Sequence, residues 1–463
     1  MGCGNSAWVM VGGNQVSHWS AAASDKYAMS IRQLLFAAAF AVSAAALPAA
    51  AQVGPPPGAA PAIAAAPGTP ISLAEVLRAA RENFDVSLAR RALAVARADI
   101  TAANHAPAPV LSAKAASIDL QNGIGAGSPS QKRIDTAVGL DWTFERGNKR
   151  ELRTLAAQRT ASAAEADVDS ALVEQQLAAG AAFFDLLAAQ ERVAEVGAIS
   201  QSADELASTA ARRVRAGDLA AQDASRTEIE ARRAAADVLG AELERQRAAL
   251  ALSQLTGVTG AGTLRALPDW PTGLAADAQA GDASLYPLVE ARADVRAAQR
   301  RLEAAQAALD VASAQRKADI TIGTSFDRYP GVSNRLLEVR AQMPLYGVFG
   351  GYNFQGEIAR AEAQIDQAQS LLDKTRQAAD IDLQRLRQSR QAAASRALSY
   401  DTEIVPRARK LAEMAELAYS KGAMSLTELI DARRTLRATL LEALAARAEH
   451  AKAAHAWQLR LQP

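Results

Sequence analysis

The sequence predicts a mostly α-helical chain with a transmembrane β contribution: duplicated long coiled-coil hairpins, plus four β-strands per chain. Three observations predict it. From Lys149 to Thr256 there is no proline, the residues are mainly strong helix formers, and the one clear break is Arg215-Ala216-Gly217-Asp218-Leu219. Thr136 to Phe144 alternates strictly, with Val138, Leu140, Trp142 and Phe144 on one face and Ala137, Gly139, Asp141 and Thr143 on the other. The whole layout then recurs in the second half of the chain.

The chain has 463 residues and a formal net charge of +1, which gives no basic stripe and excludes nucleic acid as a partner. Hydrophobic residues make up 49% but aromatics only 5%, so alanine carries the apolar count and favours closely packed helices over a broad core. Residues 1–51 read as an address. Met29 to Gln33 is a short positive region, Leu34 to Leu47 an apolar core, and Ala49-Ala50-Ala51 a cleavage signal, so 29–51 is a secretory signal and 1–28 an upstream extension. Met1-Gly2-Cys3-Gly4-Asn5-Ser6 formally matches a myristoylation pattern, but the secretory signal behind it argues for a chance match. Cys3, the one cysteine, is lost on processing, which leaves no disulfide. Beyond the signal no run of about 18 apolar residues occurs, so a membrane must be crossed by strands or not at all.

Residues 52–71 form a flexible Pro/Ala-rich lead-in. Ser72 and Glu75 have the spacing of a capping box and open a helix over 72–105, with Leu73, Val76, Leu77, Leu88 and Val95 on its apolar side and Pro107 after it. Val110 to Leu120 pairs with 136–144 across an exposed turn at 121–130, giving strands about ten residues long, enough to cross a bilayer when tilted. Taken alone, such a hairpin suits a membrane and a soluble core about equally. Secretion and the missing globular core favour the membrane. The long helix buries Phe183, Leu186, Leu187 and Val193 on one side, turns at Gly217 and returns to Gly257. Residues 258–284, rich in Gly and Pro, link the two halves.

The second half opens with a helix over Leu285 to Arg316. A hairpin follows, of Ile320 to Tyr329 and Leu337 to Leu345, with Tyr329-Pro330-Gly331 at its turn. The next long helix is kinked at Pro406 and broken at Lys421-Gly422-Ala423, and a last helix runs to about Leu461. From Gly147 to Gly217 is 70 residues and from Gly351 to Gly422 is 71; Asp223 and Glu428 each lie six past their glycine. One unit is therefore duplicated, as 72–257 and 285–463. Four strands cannot close a membrane ring, whose smallest known form has about eight, so copies must assemble; three give a twelve-stranded barrel continued by a helical tunnel.

Two local patterns name a family. Lys421-Gly422-Ala423-Met424-Ser425-Leu426-Thr427-Glu428-Leu429-Ile430-Asp431-Ala432 resembles the glycine turn and helix start of the TolC-type outer-membrane efflux channels. In the first half Asp223 keeps the acidic position, while Ala224 and Ser225 depart from the Leu-Leu of that pattern. Phe144-Glu145-Arg146-Gly147-Asn148-Lys149-Arg150 resembles the strand-to-helix junction of the heavy-metal, CzcC-like branch. Pro344-Leu345-Tyr346-Gly347 resembles the general family junction. The resemblance covers about 72–460. It implies a homotrimeric outer-membrane channel with its tunnel in the periplasm, docked to a periplasmic adaptor and an inner-membrane pump of the resistance-nodulation-division type. It implies no enzyme activity and no cofactor. Heavy-metal cations are the favoured substrate, with drugs or organic compounds the alternative. A periplasmic coiled-coil adaptor or structural protein is the rival class.

The candidate sites follow from this layout. Asp218, Asp223, Glu428 and Asp431 cluster at the far turns, as gate residues or as helix caps. Gly217, Leu219, Gly422 and Ser425 mark the adaptor-docking turns. Glu145, Arg146, Gly147, Lys149 and Arg150 form the strand-helix junction. Trp142, Phe144, Phe326 and Tyr329 are candidates for a lipid-interface belt. His450 and His455, five apart, do not share a helix face, and no metal site is expected. Glu228 with Glu230, and Asp380 with Asp382, read as solvated helix faces.

Overall fold

Each strand of the main sheet runs straight into or out of a helix, and this sets the architecture. The computed structural model describes residues 70–118, 134–258, 264–278, 285–329, 333–347 and 351–461. It begins with β1 (Pro70–Ile71), α1 (Leu73–Ala80), α2 (Phe84–Ala103), β2 (Val110–Ala116) and β3 (Asp135–Phe144). The long hairpin α3 (Lys149–Arg215) and α4 (Ala221–Thr256) follows. Then come β4 (Arg265–Ala266), α5 (Leu274–Ala278), α6 (Tyr286–Ala291) and α7 (Ala293–Ala314). The second half continues with β5 (Ile320–Tyr329), β6 (Ser333–Gln342), α8 (Gln355–Ser399), a π-helical turn (Tyr400–Ile404), α9 (Val405–Ser420) and α10 (Leu426–Leu461). At 67 residues, α3 spans about 100 Å.

The four-stranded sheet is antiparallel in the order β2-β3-β5-β6. The helices that continue those strands pack in the same order, α2 on α3, α3 on α7, α7 on α8. Sheet and helices therefore form one wall with the same two edges, β2 with α2 and β6 with α8. Towards the hairpin turns the neighbours change to α4, α3, α10 and α9.

The sheet exposes the wrong face for a soluble protein. Val138 (57%), Phe326 (55%), Leu337 (74%) and Val339 (70%) are open, whereas Ser325 (8%) and Asp327 (3%) are buried. Register aligns the apolar face across strands, Ala113–Val138–Phe326–Leu337 in one row and Leu111–Leu140–Thr324–Val339 in the next. Of the two readings of the hairpin, a soluble core would have required the opposite burial. On the polar face Asp141 and Arg340 reach each other over β5, whose residue between them is Gly323. Arg340 Nε donates to Asp141 Oδ1 at 3.0 Å and Nη2 donates to both carboxylate oxygens at 2.6 Å. A Cβ at Gly323 would lie 2.2 Å from Asp141 Oδ1 and 2.6 Å from Arg340 Nε, so glycine makes the room for this pair.

Packing is concentrated at mid-height. Phe183, Phe184, Leu186 and Leu187 of α3 meet Leu252 of α4, Val76 and Ala80 of α1 and Ala451 of α10. Trp270 stacks on Phe184 at 6.1 Å. Its segment, read from sequence as part of a linker, holds β4, paired in parallel with β1, and α5. A second cluster joins Val295 of α7, Leu372 and Leu383 of α8 and Trp457 of α10.

Two of the expected helices are corrected. The helix over 72–105 is two helices, because Asn83 caps α2 through Asp85 N at 3.0 Å and donates from Nδ2 to Leu255 O at 2.6 Å, tying the break to the end of α4. That break resets the helical phase: Val86 and Ala96 are buried, and Leu88 and Val95 are exposed. The helix from Leu285 to Arg316 is likewise interrupted at Arg292, an extended residue held by Asp294 and Asp382. At Pro406 the helix accommodates the missing N–H by a π turn immediately before it. The turn at Pro330 and Gly331 and the loop at 121–130 lie outside the described residues.

Gly323→Ala is expected to separate Asp141 from Arg340 and to lower stability by about 1–3 kcal/mol. Urea unfolding of the purified protein in detergent measures this; Gly323→Ala matching wild type would show that the pair tolerates a methyl between its members.

Candidate functional site

The wall has two places where its elements change, the strand-helix junction and the hairpin turns. At the junction, Gly147 (φ 78°) and Asn148 (φ 54°) turn the chain with left-handed backbone from β3 into α3. The second half does the same with Gly347 (φ 71°) and Phe354 (φ 60°) before α8. Left-handed phenylalanine is uncommon, and here Phe354 is held edge-on against Tyr346 at 4.9 Å. In the first junction Lys149 is 4% exposed and donates to both oxygens of Asp319 at 2.8 and 2.9 Å. Arg146 N donates to the same carboxylate at 3.0 Å. Glu145 pairs with Arg153, whose Nη2 also reaches His105 O at 3.2 Å, and Arg150 Nε donates to Asn104 Oδ1 at 3.0 Å. The run Glu145 to Arg150 thus binds β3 and α3 to the ends of α2 and α7. A Cβ at Gly147 would meet Lys317 Cδ at 2.7 Å.

The belt candidates divide between the sheet's two ends. Trp142 and Phe144 stack at 5.9 Å and 11° beside the junction. Trp142 is level with Ile322, so Phe326 and Tyr329 lie towards the other end of β5.

At the far turns the two halves use one device. Gly217 N donates to Val214 O at 3.0 Å and Asp218 N to Arg213 O at 2.9 Å; Gly422 N donates to Tyr419 O at 3.0 Å and Ala423 N to Ala418 O at 2.8 Å. These are glycine caps with φ 82° and 73°. The next helices differ in their starts. Ser425 and Glu428 form a reciprocal capping box, with Ser425 N to Glu428 Oε2 at 2.9 Å and Glu428 N to Ser425 Oγ at 3.3 Å. The Ser425 amide, then its hydroxyl, hold the Glu428 carboxyl below the usual carboxylate range. In the first half Asp223 occupies the same third helical position, but the cap residue is Ala220, which offers no side chain. Asp218 is exposed, as are Gly217 and Gly422, Leu219 is half-buried, and Asp431 lies 3.6 Å from Arg434. The four acidic residues therefore stand at the turns without converging on one point.

The groups that do join the two hairpins are different ones. Arg434 pairs with Glu230, Arg437 with Asp237, and Arg226 Nη1 donates to Thr427 Oγ1 at 3.1 Å, all between α4 and α10. The hydrogen bond from Arg434 holds the Glu230 carboxyl below its ordinary range against the opposing effect of burial. Arg213 Nη1 donates to Tyr419 OH at 3.2 Å, joining α3 and α9. Glu230 is thus no solvated acid. Asp382 is not one either: it accepts from Arg292 Nη1 at 2.9 Å. Nothing in the local sequence pairs 230 with 434; their 204-residue separation is visible only once the duplication is folded on itself. Among the described residues no group of His, Cys, Asp and Glu is arranged to hold a metal ion, and no helix is long and apolar enough to cross a membrane.

No protein-family model matches the sequence. The chain is 26% identical over 376 residues to the cobalt-zinc-cadmium resistance protein CzcC of Cupriavidus metallidurans, across 79% of this chain and 84% of that protein. In fold it is similar to the outer membrane protein VceC of Vibrio cholerae, with a TM-score of 0.67 at 18% identity over 84% of this chain and 95% of that one. It is also similar to the CmeC outer membrane channel of Campylobacter jejuni, with a TM-score of 0.66 at 15% identity over 84% and 85% of the two chains.

Substitutions at the junction and at the helix starts test the local chemistry. Lys149→Met leaves Asp319 without its partner and should cost about 3 kcal/mol, most of it recovered in Lys149→Met with Asp319→Leu, as denaturant midpoints will show. Ser425→Ala should lose about 1 kcal/mol, whereas Ala220→Ser, opposite an Asp223 already in place, should gain a similar amount.

Proposed function

We propose that this chain, which has the TolC-type outer-membrane channel fold, is the passive exit duct of a tripartite efflux pump and works as a homotrimer in the outer membrane. The observation that carries this is the shared order of strands and helices. Both edges of the sheet, β2 and β6, are unpaired among the described residues, and both lie on the same edges as α2 and α8. An apolar outward face can meet lipid only if those edges pair, since each unsatisfied backbone group in lipid costs several kcal/mol. Three copies supply twelve strands, and the helices carry the ring on as a periplasmic tunnel. The halves 72–257 and 285–463, joined by 258–284, are two copies of one unit.

At the far end, Gly217, Leu219, Gly422 and Ser425 offer the exposed turns on which a periplasmic adaptor docks, with an inner-membrane pump of the resistance-nodulation-division type behind it. The contacts Arg434–Glu230, Arg437–Asp237 and Arg226–Thr427 hold the two hairpins together there. Asp218, Asp223, Glu428 and Asp431, tripled by symmetry, add negative charge at the mouth and favour cations. Glu145 to Arg150 fasten the barrel to the tunnel, and Trp142, Phe144, Phe326 and Tyr329 sit at the lipid interfaces. Heavy-metal cations are the favoured substrate, on the likeness to CzcC and on the junction sequence. Drugs or organic compounds are the second reading, because Pro344-Leu345-Tyr346-Gly347 resembles the general family junction and not that of the heavy-metal branch.

Fractionation with a heat-modifiability gel tests the channel: an outer-membrane protein running as an SDS-resistant oligomer near three times the processed mass is expected. A soluble periplasmic monomer would replace it with the coiled-coil adaptor reading. Loss of the chain should sensitise cells to cobalt, zinc and cadmium more than to organic drugs, and the reverse order of sensitivity would select the second substrate class. Arg434→Ala with Arg437→Ala should raise single-channel conductance in planar bilayers, and unchanged conductance would remove these contacts from the gate.

A further inference from the structure

Helix α10 carries two buried histidines with opposite surroundings. His450 has a partner, its Nε2 lying 2.9 Å from Asp277 Oδ2. His455 is 7% exposed, and its Nε2 is buried without a hydrogen-bond partner. The ring is pressed onto α3: a Cβ added at Gly180 would fall 2.0 Å from Nε2 and 2.2 Å from Cδ2. Phe184, one turn further along α3, meets the imidazole edge-on at 5.9 Å and stacks in turn on Trp270. Gly180 is thus the point where the first half of the chain approaches the last helix, with the imidazole filling the gap.

We propose that His455 is an acid-sensitive wedge in the seam between α3 and α10: a proton taken up by the buried imidazole sets a charge against Gly180, with the Gln176 backbone as its one polar support, and the seam loosens. The charged groups flanking the seam are engaged elsewhere. On α3, Asp185 pairs with Lys452 at 2.8 Å and Glu174 acts on Arg460. On α8, Arg390 lies over Trp457; on α5, Asp277 faces His450 and Arg390. None of them stabilises an imidazolium at 455, whose only polar support is a hydrogen bond to the Gln176 backbone. Burial outweighs that bond and holds the imidazole below its ordinary value of 6.5. The direction follows from that depression. The parted state takes the proton first, so the stability contributed by a closed seam is complete above the ordinary value and is lost as pH falls below it towards the depressed one.

This device lies at mid-height, away from the turns and the barrel, and would make the union of the two halves respond to an acidifying periplasm. Hydrogen–deuterium exchange of the full-length protein in detergent tests it, at about pH 7.5 and about pH 5.5, corrected for intrinsic exchange. Peptides covering Gln176 to Phe184 and Ala451 to Leu459 are expected to exchange roughly ten-fold faster at the lower pH in wild type, with no such change in His455→Gln. His455→Leu serves where glutamine at the seam does not fold. His450→Gln is the control and should keep the wild-type response. A wild-type seam that exchanges equally at both values, a response that survives His455→Gln, or one abolished by His450→Gln would each overturn the wedge.

Discussion

Backbone hydrogen bonding at the edges of a four-stranded sheet constrains everything else in this chain. Among the described residues β3 and β5 are satisfied by neighbours on both sides, whereas β2 and β6 each have one. In water such edges can be solvated; beside an outward row of Val138, Phe326 and Leu337, under the proposed membrane location, they need further partners, because lipid offers none. Assembly with further copies, as proposed, would complete that surface. The helices inherit the problem and the solution together, since α2 and α8 are the outermost helices of the same wall.

That inheritance depends on the junction being rigid. A strand rises about 3.3 Å per residue and a helix about 1.5 Å, so a change from one to the other needs a sharp local turn. Left-handed backbone at Gly147, Asn148, Gly347 and Phe354 provides it twice. Lys149 then fixes the first turn by a part-buried pair with Asp319, the residue just before β5, so β3, α3 and β5 meet at one carboxylate. A buried pair contributes little net stability over an apolar replacement, but losing one member is costly, which suits a residue whose task is registration.

Much of this was legible in the sequence. Alternation in 136–144 and 320–329, the proline-free stretch after Lys149 and the nearly matching glycine spacings locate β3, β5, α3 and both hairpin turns to within a residue or two. Local signals failed where tertiary contacts decide. Asn83 breaks a helix that periodicity continues, because its side chain caps both α2 and the last carbonyls of α4. Segment 264–278 has the composition of a linker yet is pinned down by Trp270 and Asp277. The cross-hairpin pairs of Glu230 and Asp237 were invisible for the same reason, since charge on a helix face says nothing of what stands opposite.

The two long hairpins differ in the continuity of their first helix and in the start of their second. The first long helix runs unbroken for 67 residues; its counterpart is interrupted by a π turn and Pro406 about one-third of the way back from its glycine cap. Conversely, the second returning helix has the complete Ser425–Glu428 capping box, whereas the first has only Asp223. Helix start and helix continuity are thus traded in opposite senses. The half with the interrupted shaft has the firmer tip, and its arginines at 434 and 437 reach across to carboxylates of the half with the straight shaft. An interrupted shaft can bend without its tip unravelling, while the straight one keeps the wall aligned.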